Sequence, residues 1–265
     1  MQPQARRDVE NEPAIQAVVF DMDGVMTNTM EAHFAAWKQV FDEALRARSE
    51  KGGEPFRPFT KDEYFAHVDG IPRFDGVRRF FESRSIALPE GAEDDQTLET
   101  IHGIGNRKNQ VFRDWLAKET VPAYPDAVSF VQTLKDHGIK VGIFSASRNS
   151  QDVLKSAHIA DLFDAHVDGT DARELGLPGK PDPAMLIETA RRLGADPAHC
   201  AVVEDAVSGV GAGATGHFRL VIGVTREPEG SDAHAKALRR SGADIVTHDL
   251  AALLREGSPA RQRLL

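Results

Sequence analysis

The sequence predicts an α/β fold: a parallel sheet covered by helices and interrupted by an all-helical module. Three observations predict it. Residues 15–20 form a short apolar run rich in β-branched residues, the pattern of a buried strand, and the run leads straight into Asp21 and Asp23. Across 61–119 the apolar residues recur at helical spacing and nowhere alternate persistently as a strand would. After Pro122, short apolar runs and amphipathic stretches alternate with brief connections, which implies parallel strands with helices on both faces. One strand precedes the helical block and the others follow it, so the block is an insertion. The expected boundaries are 14–31 and 120–254 for the α/β core and 32–119 for the helical cap.

Taken in order, residues 1–13 are polar and charged and are expected to form a loose arm. A helix is expected from Thr29 or Met30, with Phe34, Trp37, Phe41 and Leu45 at helical spacing. Residues 51–60 carry Gly52, Gly53, Pro55 and Pro58 and read as a loop or insertion. Tyr64, Phe65 and Val68, then Val77, Phe80 and Phe81, then Val111, Trp115 and Leu116 mark further cap helices. A helix over 126–137 turns Val128, Val131 and Leu134 to one side and stops at Gly138. Residues 140–144 read as a strand, 151–157 as a helix and 166–167 as a weak strand. Helices over 182–193, 207–214 and 233–241 then alternate with strands over 201–203, 220–224 and 245–246. The last residues, 255–265, read as a frayed tail.

At 265 residues the chain can bury a full core, as one large domain or two modest ones. Its 41% hydrophobic and 28% charged residues are ordinary for a soluble globular protein. A formal net charge of -9 argues against a general nucleic-acid-binding surface, so no nucleic-acid partner is expected. No stretch approaches a membrane span and the first residues lack the apolar core of a signal peptide, which makes cytoplasmic residence without a membrane partner the expectation. The single cysteine, Cys200, excludes an internal disulfide and enters an apolar strand, where it reads as a small core residue.

Chemistry concentrates at the strand ends. Asp21 and Asp23 repel each other unless a cation sits between them, and open α/β sheets place chemistry in the crevice at that end of their strands. A divalent metal with an anionic substrate explains the pair economically; an ordinary polar turn is the plainer reading. A second strand end supplies Ser145 with Ala146 and Ser147, a loop carries Lys180 before a helix, and a further strand end supplies Glu204 and Asp205. Alone, Ser145 reads as a turn or cap hydroxyl, Lys180 as a solvated side chain and Glu204-Asp205 as a polar helix entry. Together they match what a metal and a phosphoryl group require: hard oxygen ligands, a hydroxyl, amide N–H groups and an ammonium.

From about Ile15 to Leu254 the sequence resembles the haloacid dehalogenase-like phosphotransferases, and within them the β-phosphoglucomutase subgroup. The resemblance is carried by Phe20-Asp21-Met22-Asp23-Gly24-Val25, Ser145-Ala146-Ser147-Arg148-Asn149, Gly179-Lys180-Pro181-Asp182-Pro183 and Glu204-Asp205-Ala206-Val207-Ser208-Gly209. It implies a Rossmannoid core with a parallel sheet and an inserted all-helical cap. It implies Asp21 as the nucleophile that forms an aspartyl-phosphate and Asp23 as the general acid and base. Mg²⁺ would be held by Asp21, the main-chain carbonyl of Asp23, and Asp205, with Glu204 beside them as a further candidate ligand. Ser145, Ala146 and Lys180 would hold the transferring phosphoryl. His33, Arg73 and Lys108 match polar positions of the subgroup's cap or hinge, and Arg148 and Asn149 match core residues at the second phosphate and sugar.

The sequence departs from that subgroup in residues 51–60, which lengthen the cap, in Pro72 and Phe74 flanking Arg73, and in the charged segment from Arg226. Phosphoryl transfer on a sugar phosphate, as a β-phosphoglucomutase, is the leading expectation. A sugar-phosphate phosphatase of the same fold and a non-catalytic sugar-phosphate binder are the alternatives. A small-molecule sugar phosphate is the expected partner, and a monomer is the family-based expectation.

Overall fold

The structure, a computed structural model, describes residues 15–226 and 232–265. The expected arm at 1–13 and most of the charged segment after Arg226 lie outside the described residues. The first strand, β1 (Ala17–Asp21), is buried along its whole length. It sits inside a sheet ordered β3-β2-β1-β4-β5-β6, every neighbouring pair parallel. The partners are β2 (Lys140–Phe144), β3 (Ala165–Val167), β4 (Cys200–Glu204), β5 (Leu220–Val224) and β6 (Ile245–Thr247). Residues of β1 alternate between two cores as the pleat requires: Val18 and Phe20 join Val131 and Leu134 on one face, Ala17 and Val19 join Cys200 and Leu186 on the other.

The order of strands positions the chemistry. The chain runs outward from β1 through β2 to β3, then returns to the other side of β1 with β4. That reversal opens a crevice at the strands' C-terminal ends. Register puts Asp21 beside Phe144, so Ser145 follows on the same edge, and Phe20 beside Val203, so Glu204 and Asp205 emerge there as well.

The cap comprises α1 (Met30–Glu50), α2 (Lys61–His67), α3 (Arg73–Ser83) and α4 (Ile101–Leu116). Its core is aromatic: Phe41 stacks on Phe80 at 4.3 Å between centroids, and Phe59 meets both rings edge-on at 4.9 and 4.8 Å. Residues 51–60 therefore end as a plug. Asp42 accepts the Phe59 N–H at 2.7 Å, and Lys38, bonded to Asp42, donates to the Phe59 carbonyl at 3.0 Å. Thr60 and Glu63 then form the capping box that starts α2.

The core helices are α5 (Pro125–Asp136), α6 (Ser150–Ser156), α7 (Gly169–Leu175), α8 (Ala184–Leu193), α9 (Val207–Thr215), α10 (Asp232–Arg240) and α11 (Pro259–Leu264). Two of them correct the sequence reading. The segment 255–265 is not a frayed tail: Pro259 opens α11, and Ala260 and Leu264, four residues apart, are buried in the core that holds Leu250 and Val18. The short α7 has little apolar pattern of its own. It is fixed by its ends, an Asp168 capping box and left-handed Gly176.

Candidate active site

Asp21 ends β1 and is almost wholly buried. The Lys180 ammonium donates to Asp21 Oδ1 at 2.6 Å and also to Glu204 Oε1. Glu204 Oε2 in turn accepts the Ala206 N–H at 2.6 Å. Both oxygens of Glu204 are thus engaged by protein donors, and Glu204 stands behind the cavity while Asp205 lines it. Close approach explains two glycines. A side chain on Gly24, whose φ is +83°, would overlap the Asp205 carboxylate, and one on Gly209 would overlap that of Glu204.

Asp23 lies two residues on, in a tight loop closed by the Gly24 N–H to Thr27 carbonyl bond at 2.9 Å. The Thr29 hydroxyl donates to Asp23 Oδ1, and the Ser145 hydroxyl approaches Oδ2 at 3.5 Å. His33, in the first turn of α1, brings Nε2 to 3.6 Å from Asp23 Oδ1. Its ring stacks on Phe112 at 4.1 Å, and its Nδ1 is hydrogen-bonded to Lys108 Nζ at 2.8 Å. When Lys108 is an ammonium it can only donate, which puts the proton of a neutral His33 on Nε2, facing Asp23.

The electrostatics are those of a site short of positive charge. Burial pushes Asp21 well above the usual carboxylate range; Lys180 opposes this, while Glu204 and Asp23 add to it. Burial raises Asp205 likewise, reinforced by Glu204, Asp21 and Asp69. Lys180 is the opposite case. Burial disfavours its charge, but Asp21 and Glu204 outweigh that and hold it as an ammonium. Burial also opposes ionisation of Asp23, yet His33, Thr29 and Lys108 together lower it. Among the described residues no three His, Cys, Asp or Glu side chains form a ready-made metal cage. The open acid set of Asp21 and Asp205, with its excess negative charge, nevertheless has the hard-oxygen chemistry that a divalent cation would complete.

A cavity of about 480 Å³ rises from these acids into the cap. Asp21, Asp23, His33, Arg73, Lys108, Ser145, Ala146, Arg148, Asn149, Lys180 and Asp205 all line it, so of the expected site residues only Glu204 stays behind its wall. At the far end, Arg73 opens α3 on the cap side and Arg148 follows β2 on the core side. Burial lowers Arg73 to about 10, and repulsion from Arg148 adds to it. Burial and Arg73 together lower Lys108 to about 7. The cavity therefore joins the Asp21, Asp23 and Asp205 carboxylates at the sheet end to the Arg73 and Arg148 guanidinium groups at the cap end, where Asp75 and Glu90 also line it.

A haloacid dehalogenase-like hydrolase family pattern matches residues 15–217. The chain belongs to the haloacid dehalogenase-like hydrolases. A β-phosphoglucomutase of Mycobacterium bovis is 40% identical over 255 residues, 95% of this chain and 97% of that one. A β-phosphoglucomutase of Bacillus subtilis is 32% identical, covering 82% of this chain and 88% of its own. The crystal structure of a β-phosphoglucomutase from Clostridium difficile superposes with a TM-score of 0.72 over 94% of this chain and 97% of that one, at 23% identity, and so supports the shared fold. These likenesses place the chain in the β-phosphoglucomutase-like subgroup of the family, among phosphotransferases and phosphatases.

In this family member the structure adds residues that sequence reasoning did not single out for the site. Tyr64 and Asp69, joined by the Asp69 N–H to Tyr64 carbonyl bond at 2.9 Å, line the cavity from the cap, as do Trp37 and Phe74. Asn109 accepts from the Asn149 amide at 2.8 Å, a bond from cap to core. Arg226 donates to the carbonyls of Gly24 at 3.1 Å and Val25 at 2.6 Å, pairs with Asp126 at 2.9 Å and lies over Tyr124, so it fixes the loop that carries Asp23. Asn109 was legible in principle, since it adjoins Lys108 in the sequence. The others have no signal short of tertiary contact. Among the described residues, no helix is long and apolar enough to cross a membrane.

Proposed function

We propose that this enzyme interconverts β-glucose 1-phosphate and glucose 6-phosphate through an aspartyl-phosphate on Asp21. The observation that carries the reading is the two ends of the cavity. One has a buried nucleophile with an ammonium, and the other has Arg148 and an Arg73 that forms no ion pair among the described residues. A substrate with phosphate at one end and a hydroxyl at the other can turn over between two such poles.

Priming by hexose bisphosphate leaves the phosphoryl group on Asp21. In the first half-reaction Asp23 takes the proton from the 6-hydroxyl of β-glucose 1-phosphate, whose oxygen bonds to the phosphorus as the bond from phosphorus to Asp21 breaks, giving the sugar bisphosphate and free Asp21. In the second, with the bisphosphate reversed between the two poles, an Asp21 oxygen bonds to the phosphorus at C1 as the bond to the sugar oxygen breaks, and Asp23 returns the proton to that oxygen, giving glucose 6-phosphate and phospho-Asp21. The same carboxyl must therefore hold and release a proton in turn. In the structure His33, Thr29 and Lys108 keep Asp23 ionised; a dianionic phosphoryl beside it raises its proton affinity when the substrate enters. Lys180 and Ser145 face the phosphoryl oxygens, and their donors are already oriented by Glu204 and by the loop after β2. Asp21, Asp205 and the Asp23 carbonyl would hold Mg²⁺; a Glu204 contact would share an oxygen already bonded to Lys180 or Ala206. When bound, the ion supplies positive charge against the phosphoryl and the acids.

The cap decides between sugar and water as acceptor, because solvent exclusion separates mutase from phosphatase turnover. Gly70 brings the cap loop onto the core: a Cβ there would sit 3.3 Å from Ala206 Cβ and 3.9 Å from Lys180 Cδ. The test follows isomer formation and phosphate release together, with Mg²⁺ and a trace of hexose bisphosphate. The expected result is isomer formation well ahead of phosphate release, with both abolished in Asp21→Asn. Rapid phosphate release without isomer would make the enzyme a phosphatase, and near-parent turnover in Asp21→Asn would remove the nucleophile.

A further inference from the structure

Phe74 stands where two guanidinium groups from different parts of the fold converge. The Cζ of Arg73, on the cap, lies over its ring at 5.7 Å from the centroid, and the Cζ of Arg148, on the core, at 5.9 Å. The ring is seated with care. Gly105 of α4 has no side chain, and a Cβ there would press on the Phe74 ring at 2.6 and 2.7 Å. One turn earlier on α4, His102 packs on the ring at 4.4 Å between centroids, with its Nε2 3.6 Å from Glu90. Glu90 is itself bonded to Arg78 of α3. So α3 and α4 hold the Phe74 ring at the wall of the cavity, with both arginines near it.

Arg148 repels Arg73, and burial adds to the cost. The negative face of an aromatic ring offsets part of that repulsion without supplying a carboxylate that would compete with an incoming anion. We propose that Phe74 is a positioning residue for the distal phosphate: its ring holds Arg73 and Arg148 together as a preformed site for the non-transferring phosphate of the sugar. The inference rests on the two-pole reading above and deepens it. A carboxylate at position 74 would pair with the arginines and block the site. An aliphatic side chain would fill the space and leave Arg73 without the ring's offset.

The experiment compares kcat/KM for β-glucose 1-phosphate, primed with hexose bisphosphate, with kcat/KM for acetyl phosphate, which has no second pole. The ratio of the two is measured in the parent, Phe74→Leu, Phe74→Tyr and Arg73→Ala. Phe74→Leu keeps an apolar side chain of similar bulk but removes the aromatic face, and is expected to lower the ratio about five- to thirtyfold, mainly through KM for the sugar phosphate. Phe74→Tyr keeps the ring and is expected to restore the ratio to within about threefold of the parent. Thermal melts of each variant separate loss of folded protein from loss of selectivity, and the ratio cancels any change in active fraction. An unchanged ratio in Phe74→Leu with a lowered ratio in Arg73→Ala would overturn the role of Phe74 while leaving the two poles intact. An equal fall in Phe74→Leu and Phe74→Tyr would also overturn it, since packing rather than the ring would then be at stake. A parent enzyme whose ratio is unmoved by Arg73→Ala would instead fail the two-pole reading itself.

Discussion

At the scale of single residues, function rests on charges kept where water cannot neutralise them. Lys108 shows the cost. Burial first, then Arg73, lowers it to about 7, only partly opposed by Asp23. Between pH 7 and the ordinary lysine value of about 10.4 the unfolded chain carries a proton that the folded chain does not. Stability from this group therefore rises with pH across that window, and its penalty is complete below it. Lys108→Met should be more stable than the parent at pH 6, by on the order of a few kcal/mol, with the advantage shrinking toward pH 10. Melting curves of the substrate-free proteins across that range check this; an advantage independent of pH would contradict it. Asp21, Asp23, Ser145, Lys180 and Asp205 were legible in the sequence because each closely follows an apolar strand or precedes a helix, and register then brings them to one edge. Tyr64, Asp69 and Phe74 were not, because their position depends on how the cap helices and the loop between them settle on the core. Glu204 was legible as part of the acid set but not as the residue that anchors Lys180.

At the scale of elements, the loop after β1 is the most constrained piece of the chain. Gly24 has φ +83° and leaves no room for a side chain beside Asp205, Arg226 binds two of the loop's carbonyls, and His234 bonds the Asp205 carbonyl at 2.9 Å. Gly24→Ala adds a left-handed backbone cost of about 1–2 kcal/mol and displaces the Asp205 carboxylate. Under the proposed metal site, the Mg²⁺ concentration giving half-maximal activity should rise at least about tenfold, one decade for each ~1.4 kcal/mol lost. A metal titration that matches the parent's would separate Asp205 from the metal. Elements were legible where apolar periodicity was sustained, as in α1 and β5. The helices α7 and α11 escaped because six or seven residues show too little period, and their stability comes from capping and from burial of Ala260 and Leu264. The plug formed by Phe59 escaped for a related reason: Gly and Pro mark a loop without saying which aromatic the loop returns to the core.

At the scale of the whole molecule, a sheet that presents the nucleophile and a cap that presents Arg73 must meet around one substrate. The insertion was legible from the order of helical and strand patterns, but the strand order was not, since pairing partners are decided by tertiary packing. Besides the packing of Ala36 and Phe112 on the core, the contacts that join the halves include Asn109 to Asn149, His33 beside Asp23, Arg148 near Phe74, and Gly70 against Ala206 and Lys180. A substrate phosphate held by Arg73 adds binding energy for keeping the cap in place, and part of that energy should appear in turnover rather than only in KM. The account's central claim is that the cavity has two phosphate poles, and Arg73→Ala tests it most directly. Loss of a charge-assisted contact in a closed pocket should cost about 2–4 kcal/mol. At about 1.4 kcal/mol per tenfold, kcat/KM for β-glucose 1-phosphate should fall about 30- to 1000-fold, and for acetyl phosphate much less. A similar change of less than about twofold on both substrates, the size expected of an exposed side chain, would contradict the claim.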